Sequence, residues 1–475
     1  MMACWVSGLL LLMGLSIATS FNPGCRIRIT ERGLTMIQYE GLKFVAEEVE
    51  NITILDLSGK EGPFHYSISG VKITQLNISN ATLSFQHDAG LLFEMKKASI
   101  SITFQRKMMY WLFQDIGQIN ASAEGVNIWT LLHLSKSNSG QMKISKVSCK
   151  ASIARMNARF NGNFRGFYEM FSTILTTGLR FLINQQICPT LEHSALVLLN
   201  SLLETVPVRT DVDQYIGIDY SLFSNPDVKS DWMDVDFKGT FYPIGNETDM
   251  LSNTASIPHL KSKDHMVYIS LSKHFFDSAM YSYYKAGSLK AEIPESKSSK
   301  SSAKDAPLQL NLEVTSVPHC TIKPSGNTIS VSTHMNIMLM PPNSTPVTLT
   351  SIIMEIKLNA KVALKGKNLA ITLGIRRFRM FSTKSTLESL VLIPIQAPMK
   401  ALLQLTIMPI INERALKGVQ IPLPEGINLI NEMVTNHMGF LSIGADLHFY
   451  KGLREVINKN LLHLSPNNET LSKAK

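Results

Sequence analysis

FRGFYEMFSTILTTGLRFLINQQICPTLEHSALVLLNSLLETV, residues 164–206, reads as a long apolar helix with one interruption, and the N-terminal half is organised around it. Phe164, Phe167, Phe171, Ile174, Leu175, Gly178 and Leu182 recur at spacings of three and four, which puts them on one helical face that must be buried. Cys188 and Pro189 punctuate the run, and Pro189 is expected to kink or restart the helix before Leu191, Ala195, Leu198, Leu202 and Val206 continue the apolar series. From Phe164 to Cys188 a continuous helix extends roughly 37 Å, long enough to line one side of a barrel.

The sequence before it reads as the sheet that wraps this helix. Cys25 to Thr30 alternates, with Ile27 and Ile29 on one side, and Thr30 can cap a helix carrying Leu34, Ile37, Phe44, Val45 and Val49. From Tyr66 to Phe104 the period changes to two, through Ile68, Leu83, Phe85, Ile100, Ile102 and Phe104. That is the pattern of antiparallel strands with one buried face. Ile119, Ala121, Ala123, Met142 and Ile144 extend the sheet to Cys149, and Val235, Phe237 and Phe241 return to strand after the helix.

The second half repeats the plan. Val267, Ile269 and Leu271 alternate and lead into a helical pattern at Phe275, Phe276, Ala279, Met280 and Tyr283, as Ile27 led into Val49. Strand patterns follow at Leu308–Val314, Ile329–Val331, Ile356–Leu358 and Ile371–Ile375. The stretch Leu387–Leu416 takes the place of the long helix, with Pro394, Pro398 and Pro409 expected to break it, and Leu441–Phe449 closes the half. The expected division is residues 21–242 and 261–475 as two barrels, with 243–260 as connector. The tract at 294–305, PESKSSKSSAKD, is too polar to pack.

Residues 1–20 carry an uncharged leucine-rich segment followed by small residues at Ala18 and Ser20, the pattern of a cleaved signal peptide. Secretion is therefore expected. Asn-X-Ser/Thr sequons at Asn51, Asn77, Asn80, Asn120, Asn246, Asn343 and Asn468 agree with an extracellular chain. Four cysteines follow the leader, Cys25, Cys149, Cys188 and Cys320, and they permit three fully paired connectivities. Cys149 and Cys188 flank one strand-to-helix unit and are the preferred pair, leaving Cys25 and Cys320 free or paired elsewhere. The formal charge of +9 points to anionic partners such as phospholipid head groups or acidic glycans, or to a basic secreted surface and nothing more.

Sequence-local catalytic signatures are missing: there is no Gly-X-Ser-X-Gly, Walker loop, His-Glu-X-X-His or Cys-X-X-Cys. Neither a metal nor a cofactor is expected, His319 beside Cys320 having no second pair, and no enzymatic activity or nucleic-acid partner is expected either. Asp234, Asp236 and Glu40 read as solvated carboxylates.

Several phrases together carry a resemblance. FNPGCRIRITERGL from Phe21, IGIDYSL from Ile216, DVDFKGTFY from Asp234, HMVYISLSKHFF from His265 and GADLHFY from Gly444 resemble the bactericidal/permeability-increasing and lipopolysaccharide-binding protein family, which includes plasma lipid transfer proteins. The resemblance implies an α+β fold: two pseudo-symmetric barrels of twisted antiparallel sheet around long helices, joined by a central sheet in a boomerang shape. It also implies a Cys149–Cys188 disulfide and an apolar lipid pocket in each half. Expected partners are phospholipid or another amphiphilic lipid at a membrane or lipoprotein surface, with bacterial lipopolysaccharide as the alternative ligand. Candidate lining residues of the first pocket are Ile37, Phe44, Phe167, Phe171, Ile174 and Leu175. Relatives that bind endotoxin carry clustered lysines at the barrel tip; here Lys60 stands beside Glu61, and Arg106 with Lys107 is the candidate anionic head-group contact. The interval before Leu308 is shorter than in relatives, which implies a less completely covered C-terminal barrel.

Overall fold

The computed structural model describes residues 22–52, 54–78, 80–159, 165–257, 260, 262–294, 308–341, 345–382 and 392–464; residues 1–20, expected to be a signal peptide, and nearly all of the 294–305 tract lie outside these. The strand Cys25–Thr30 runs into helix α1, Glu31–Glu50. Thr30 caps it as expected, its hydroxyl accepting from the Gly33 amide at 3.4 Å. Five strands then form a curled antiparallel sheet in the order 57–61, 64–77, 90–110, 113–136 and 142–159, with 81–86 added along 90–110. Their inward residues, among them Ile68, Ile100, Ile102, Phe104 and Ile119, are buried against Leu175, Leu179, Ile183 and Ile187 of helix α2, Arg165–His193. The disulfide joins Cys149 of the last strand to Cys188 of α2, with Cα atoms 5.6 Å apart. Closing a loop of this length stabilises by about 4 kcal/mol in the chain-entropy model.

Pro189 does not restart the helix. α2 continues through it, and the irregularity comes later as a π-helical turn, Ser194–Leu199, leading into the short α3, Asn200–Leu203. Pro189 and Gln185, whose carbonyl loses its donor, both face solvent, so water can take the freed acceptor while Ile187 and Leu191 stay buried on the other side.

The second half follows the same order. Strand Val267–Ser272 leads into α4, Lys273–Lys285. A second curled sheet runs 290–294, 308–314, 326–339, 347–365, 368–382 and 419–420, with 319–323 paired to 326–339. Helix α5, Ile393–Lys417, fills it with Leu403 and Met408 buried, and α6, Leu453–Leu464, ends the described chain. The expected break at three prolines is corrected. Pro394 sits in the first turn, where a missing N–H costs little, and Pro409 lies on the solvent side, opposite Met408.

A six-stranded sheet joins the halves in the order 227–228, 232–237, 25–30, 267–272, 440–449 and 427–436. The two strands that open the halves lie side by side and antiparallel, Ile27 opposite Ile269, each flanked by the strand that closes its own half. The duplication read from the order of elements is thus a pairing in space. One face of this sheet carries charge: Arg28 holds Asp234 at 2.6 Å and Arg26 holds Asp236 at 2.6 Å, while the Arg28 guanidinium stacks 3.9 Å from the Trp232 ring. The carbonyls of Ile257 and Leu260, from the connector, accept from Arg26 and Arg28. Asp234 is therefore buried and not a solvated carboxylate.

Candidate functional site

Two cavities, of about 310 and 380 Å³, lie one in each half, the first walled in part by the central sheet. Both fall within the ordinary size of a ligand pocket. In the first, α1 contributes Ile37, Phe44 and Val45, and the π-helical turn after α2 contributes Ser194, Ala195 and Leu199. The N-terminal sheet adds Leu91, Phe93 and Leu132, and the central sheet adds Val235, Phe237 and Phe449. Its few polar groups are mostly occupied by protein. Gln38 donates to the Ala81 carbonyl at 2.9 Å and accepts from the Leu83 amide at 3.0 Å. Ser194 donates to Glu48 at 2.6 Å, and Glu48 is paired with Arg454 of α6 at 2.5 Å. Two buried hydroxyls on this wall, those of Thr130 and Tyr220, have no partner among the described residues. Burial pushes the Tyr220 phenol well up, so it stays a neutral donor.

The second cavity lies between α4, with Phe275, Phe276 and Ala279, the inner face of the C-terminal sheet, and α5, with Leu403, Ile407 and Arg414. Tyr283 closes one side, donating to Asp213 at 2.8 Å. Arg414 is exposed, 5.4 Å from the Tyr215 ring. Each cavity borrows wall from the other half of the chain: Pro422, Leu423, Leu447 and Leu453 line the first, and Val212, Ile216 and Phe241 line the second.

Of the six residues expected in the first pocket, Ile37 and Phe44 line it. Leu175 packs in the dry core between α2 and the sheet, because the cavity opens only beside the last turns of α2. Phe167, Phe171 and Ile174 belong to α2, but their side chains lie outside the described residues. Arg106 and Lys107 are not brought together. Adjacent strand residues face opposite sides of a sheet; Arg106 is buried with its guanidinium 2.7 Å from Asp115, and Lys107 is exposed. Asn51, Asn77, Asn80, Asn120 and Asn246 are all exposed, and Asn343 and Asn468 lie outside the described residues. Cys25 and Cys320 are buried free thiols; burial pushes both up, Cys320 to about 12, so neither is a reactive thiolate. Among the described residues no cluster of His, Cys, Asp and Glu could hold a metal ion, and no helix is long and apolar enough to cross a membrane.

Sequence reasoning missed the far wall of the first cavity, because Pro422–Leu423 and Leu453 are remote in sequence from the helix they face. It also assigned no role to the apolar tip of the hairpin between strands 90–110 and 113–136. There Tyr110 pairs with Phe113 across a two-residue turn, and Trp111, Leu112 and Phe113 are 77, 99 and 73% exposed. The signal was the unbroken apolar run MMYWLF at a hairpin turn.

Two curled sheets, each closed by a long helix over an apolar cavity and joined through a shared central sheet, define a two-barrel protein. The chain belongs to the LBP / BPI / CETP family: the family's N-terminal domain matches residues 33–206 and its C-terminal domain matches residues 210–304 and 300–449. It is 50% identical to human phospholipid transfer protein over 471 residues, covering 95% of this chain and 96% of that protein. Human BPI fold-containing family C protein, the member that the short phrases point to most nearly, proves the more distant of the two at 24% identity over 469 residues, covering 93% of this chain and 92% of that one. The crystal structure of lipopolysaccharide binding protein superposes with a TM-score of 0.64 at 21% identity, over 90% of this chain and all of that one. That likeness establishes the α+β two-barrel fold.

Proposed function

We propose that this chain is a secreted, non-enzymatic carrier that takes phospholipid-like amphiphiles into its two cavities and exchanges them with a lipid surface. The observation that carries this reading is the pair of cavities whose walls are almost entirely hydrocarbon. Burial is worth ~0.8 kcal/mol per methylene, so one long acyl chain can gain about 10 kcal/mol without a dedicated polar site. The ligand ester has two natural partners in the first cavity, the free hydroxyls of Thr130 and Tyr220. The protruding Trp111–Phe113 hairpin suits contact with the surface that supplies the lipid. The 50% identity with a protein named for phospholipid transfer supports the same conclusion.

Lipopolysaccharide binding is the second reading, supported by the likeness to lipopolysaccharide binding protein. Lipid A phosphates would need convergent cations, whereas Arg106 is turned inward onto Asp115.

Native mass spectrometry of the secreted protein, followed by organic extraction, tests the carrier reading. One or two phospholipids per chain are expected. A folded, lipid-free chain that moves no phospholipid between vesicles would sink it, and salt-sensitive binding of lipopolysaccharide in its place would favour the second reading.

A further inference from the structure

The outer face of the C-terminal sheet, turned away from both α5 and the second cavity, is unlike the rest of the surface. On strand 347–365 the outward residues include Lys357, Lys361 and Lys365, and on strand 368–382 they include Arg377 and Arg379. The register sets Lys357 directly opposite Arg377. A bulge at this point leaves Arg376 and Arg377 both exposed, where regular alternation would have turned one of the two inward. Lys323, two strands away, adds a further exposed cation. Of these seven cations none forms an ion pair among the described residues, and the one carboxylate on the four strands concerned, Glu355, stands opposite Arg379 in the register, leaving the other six without a facing acid. Like charges set directly opposite each other destabilise a sheet, so the Lys357–Arg377 pair works against folding. It is the arrangement expected where an external anion neutralises both.

We propose that this face binds a sulfated linear polysaccharide. From Lys357 to Lys365 the row spans about 27 Å, at 3.4 Å per residue, which suits an extended chain with repeated charge and not a single phosphate. The neighbouring outward residues Thr328, Ser330, Ser332 and Asn359 are half-buried or exposed donors and acceptors suited to sugar hydroxyls. A lipid surface fits poorly, because on these strands the exposed large apolar side chains are confined to Val347 and Leu349 at the far end. The face lies outside both cavities, so it would tether the carrier without occupying its cargo space.

The test is retention of the full-length protein on immobilised heparin against rising sodium chloride, comparing wild type with K357Q/K361Q/K365Q and R376Q/R377Q/R379Q. Each triple is expected to bind about 100-fold more weakly and to show a shallower salt dependence. Fully desulfated heparin is expected to retain none of the proteins. The single R377E, a change on a solvent-facing side chain, provides a second readout should a triple fail to fold, and is expected to weaken binding at least tenfold. Retention unchanged in R377E and in whichever triple folds overturns the proposal. So does a loss seen on phosphatidylserine vesicles but not on heparin, which would assign the face to membrane.

Discussion

Trp111 holds a backbone conformation that its side chain resists, with φ of 52° at the turn of the exposed hairpin. Such a conformation costs a bulky residue on the order of 1–3 kcal/mol, and glycine would adopt it freely. The change W111G is therefore expected to act in opposite directions: to raise stability by about 1 kcal/mol and to weaken binding to phosphatidylcholine vesicles about tenfold, as an indole that could enter the bilayer is lost. A thermal melt and a flotation assay read the two effects, and unchanged flotation would remove the hairpin from the docking mechanism. His274 carries the second residue-scale prediction. Burial is the largest cause pushing its imidazole down to about 4, Asp277 opposes this and Lys273 reinforces it, while its Nε2 lies 3.0 Å from the Thr240 hydroxyl. The unfolded chain takes up this proton first as pH falls below about 6.5, so the contribution is full above that value and lost as pH falls toward 4, on the order of 3 kcal/mol in all. H274Q is expected to flatten the denaturation profile across that interval; a profile as steep as wild type would assign the acid sensitivity to other groups. The buried ion pairs of the central sheet were also legible in hindsight, since CRIRIT places arginines and DVDF places aspartates at alternate positions. Each strand read alone puts its charges on a face that could be solvated, and only the pairing of Arg28 with Asp234 makes them complementary.

At the scale of elements, the period of the apolar residues was a good guide and the prolines were a poor one. Alternation located the long strands of both curled sheets, and the three-and-four spacing located α1, α2 and α4. Pro189, Pro398 and Pro409 all lie inside continuous helices. A proline breaks a helix when the carbonyl it orphans has no other partner or its ring has no room. Pro189 and Pro409 have solvent on their side and a buried apolar stripe opposite, and no local rule on sequence contains that information. The Arg106–Lys107 pairing failed for the complementary reason: neighbours in a strand are distant in function, because the pleat sends them to different faces.

For the whole molecule, the two-barrel plan could be read from the order of elements, but the cavities could not. Leu175 and Phe44 are both buried apolar residues on amphipathic helices, yet Leu175 sits in dry core against the N-terminal sheet while Phe44 packs beside Leu202, Val456 and Ile457 and lines a cavity. A cavity is a deficit of packing summed over distant segments, so it leaves no mark on any single one. Filling each cavity separately tests whether the two act as distinct binding sites. A195W narrows the first and A279W the second, both residues lining their cavities. Each is expected to lower the extracted phospholipid by one per chain while circular dichroism stays unchanged. Loss of all bound lipid from either variant would point to a single shared site.

The borrowed wall of the first cavity also sets a timetable. Leu202 and Leu453 meet across it although roughly 250 residues separate them. At about 5–20 residues per second, the ribosome needs some tens of seconds to deliver the second after the first. During that interval the inner face of the N-terminal sheet and the helix over it stand as an open hydrocarbon trough, within reach of whatever membrane or chaperone is nearby. Among the described residues the last helix, α6, supplies Leu453 to that wall, so the trough cannot be closed on this side until the C-terminal end of the chain has been made.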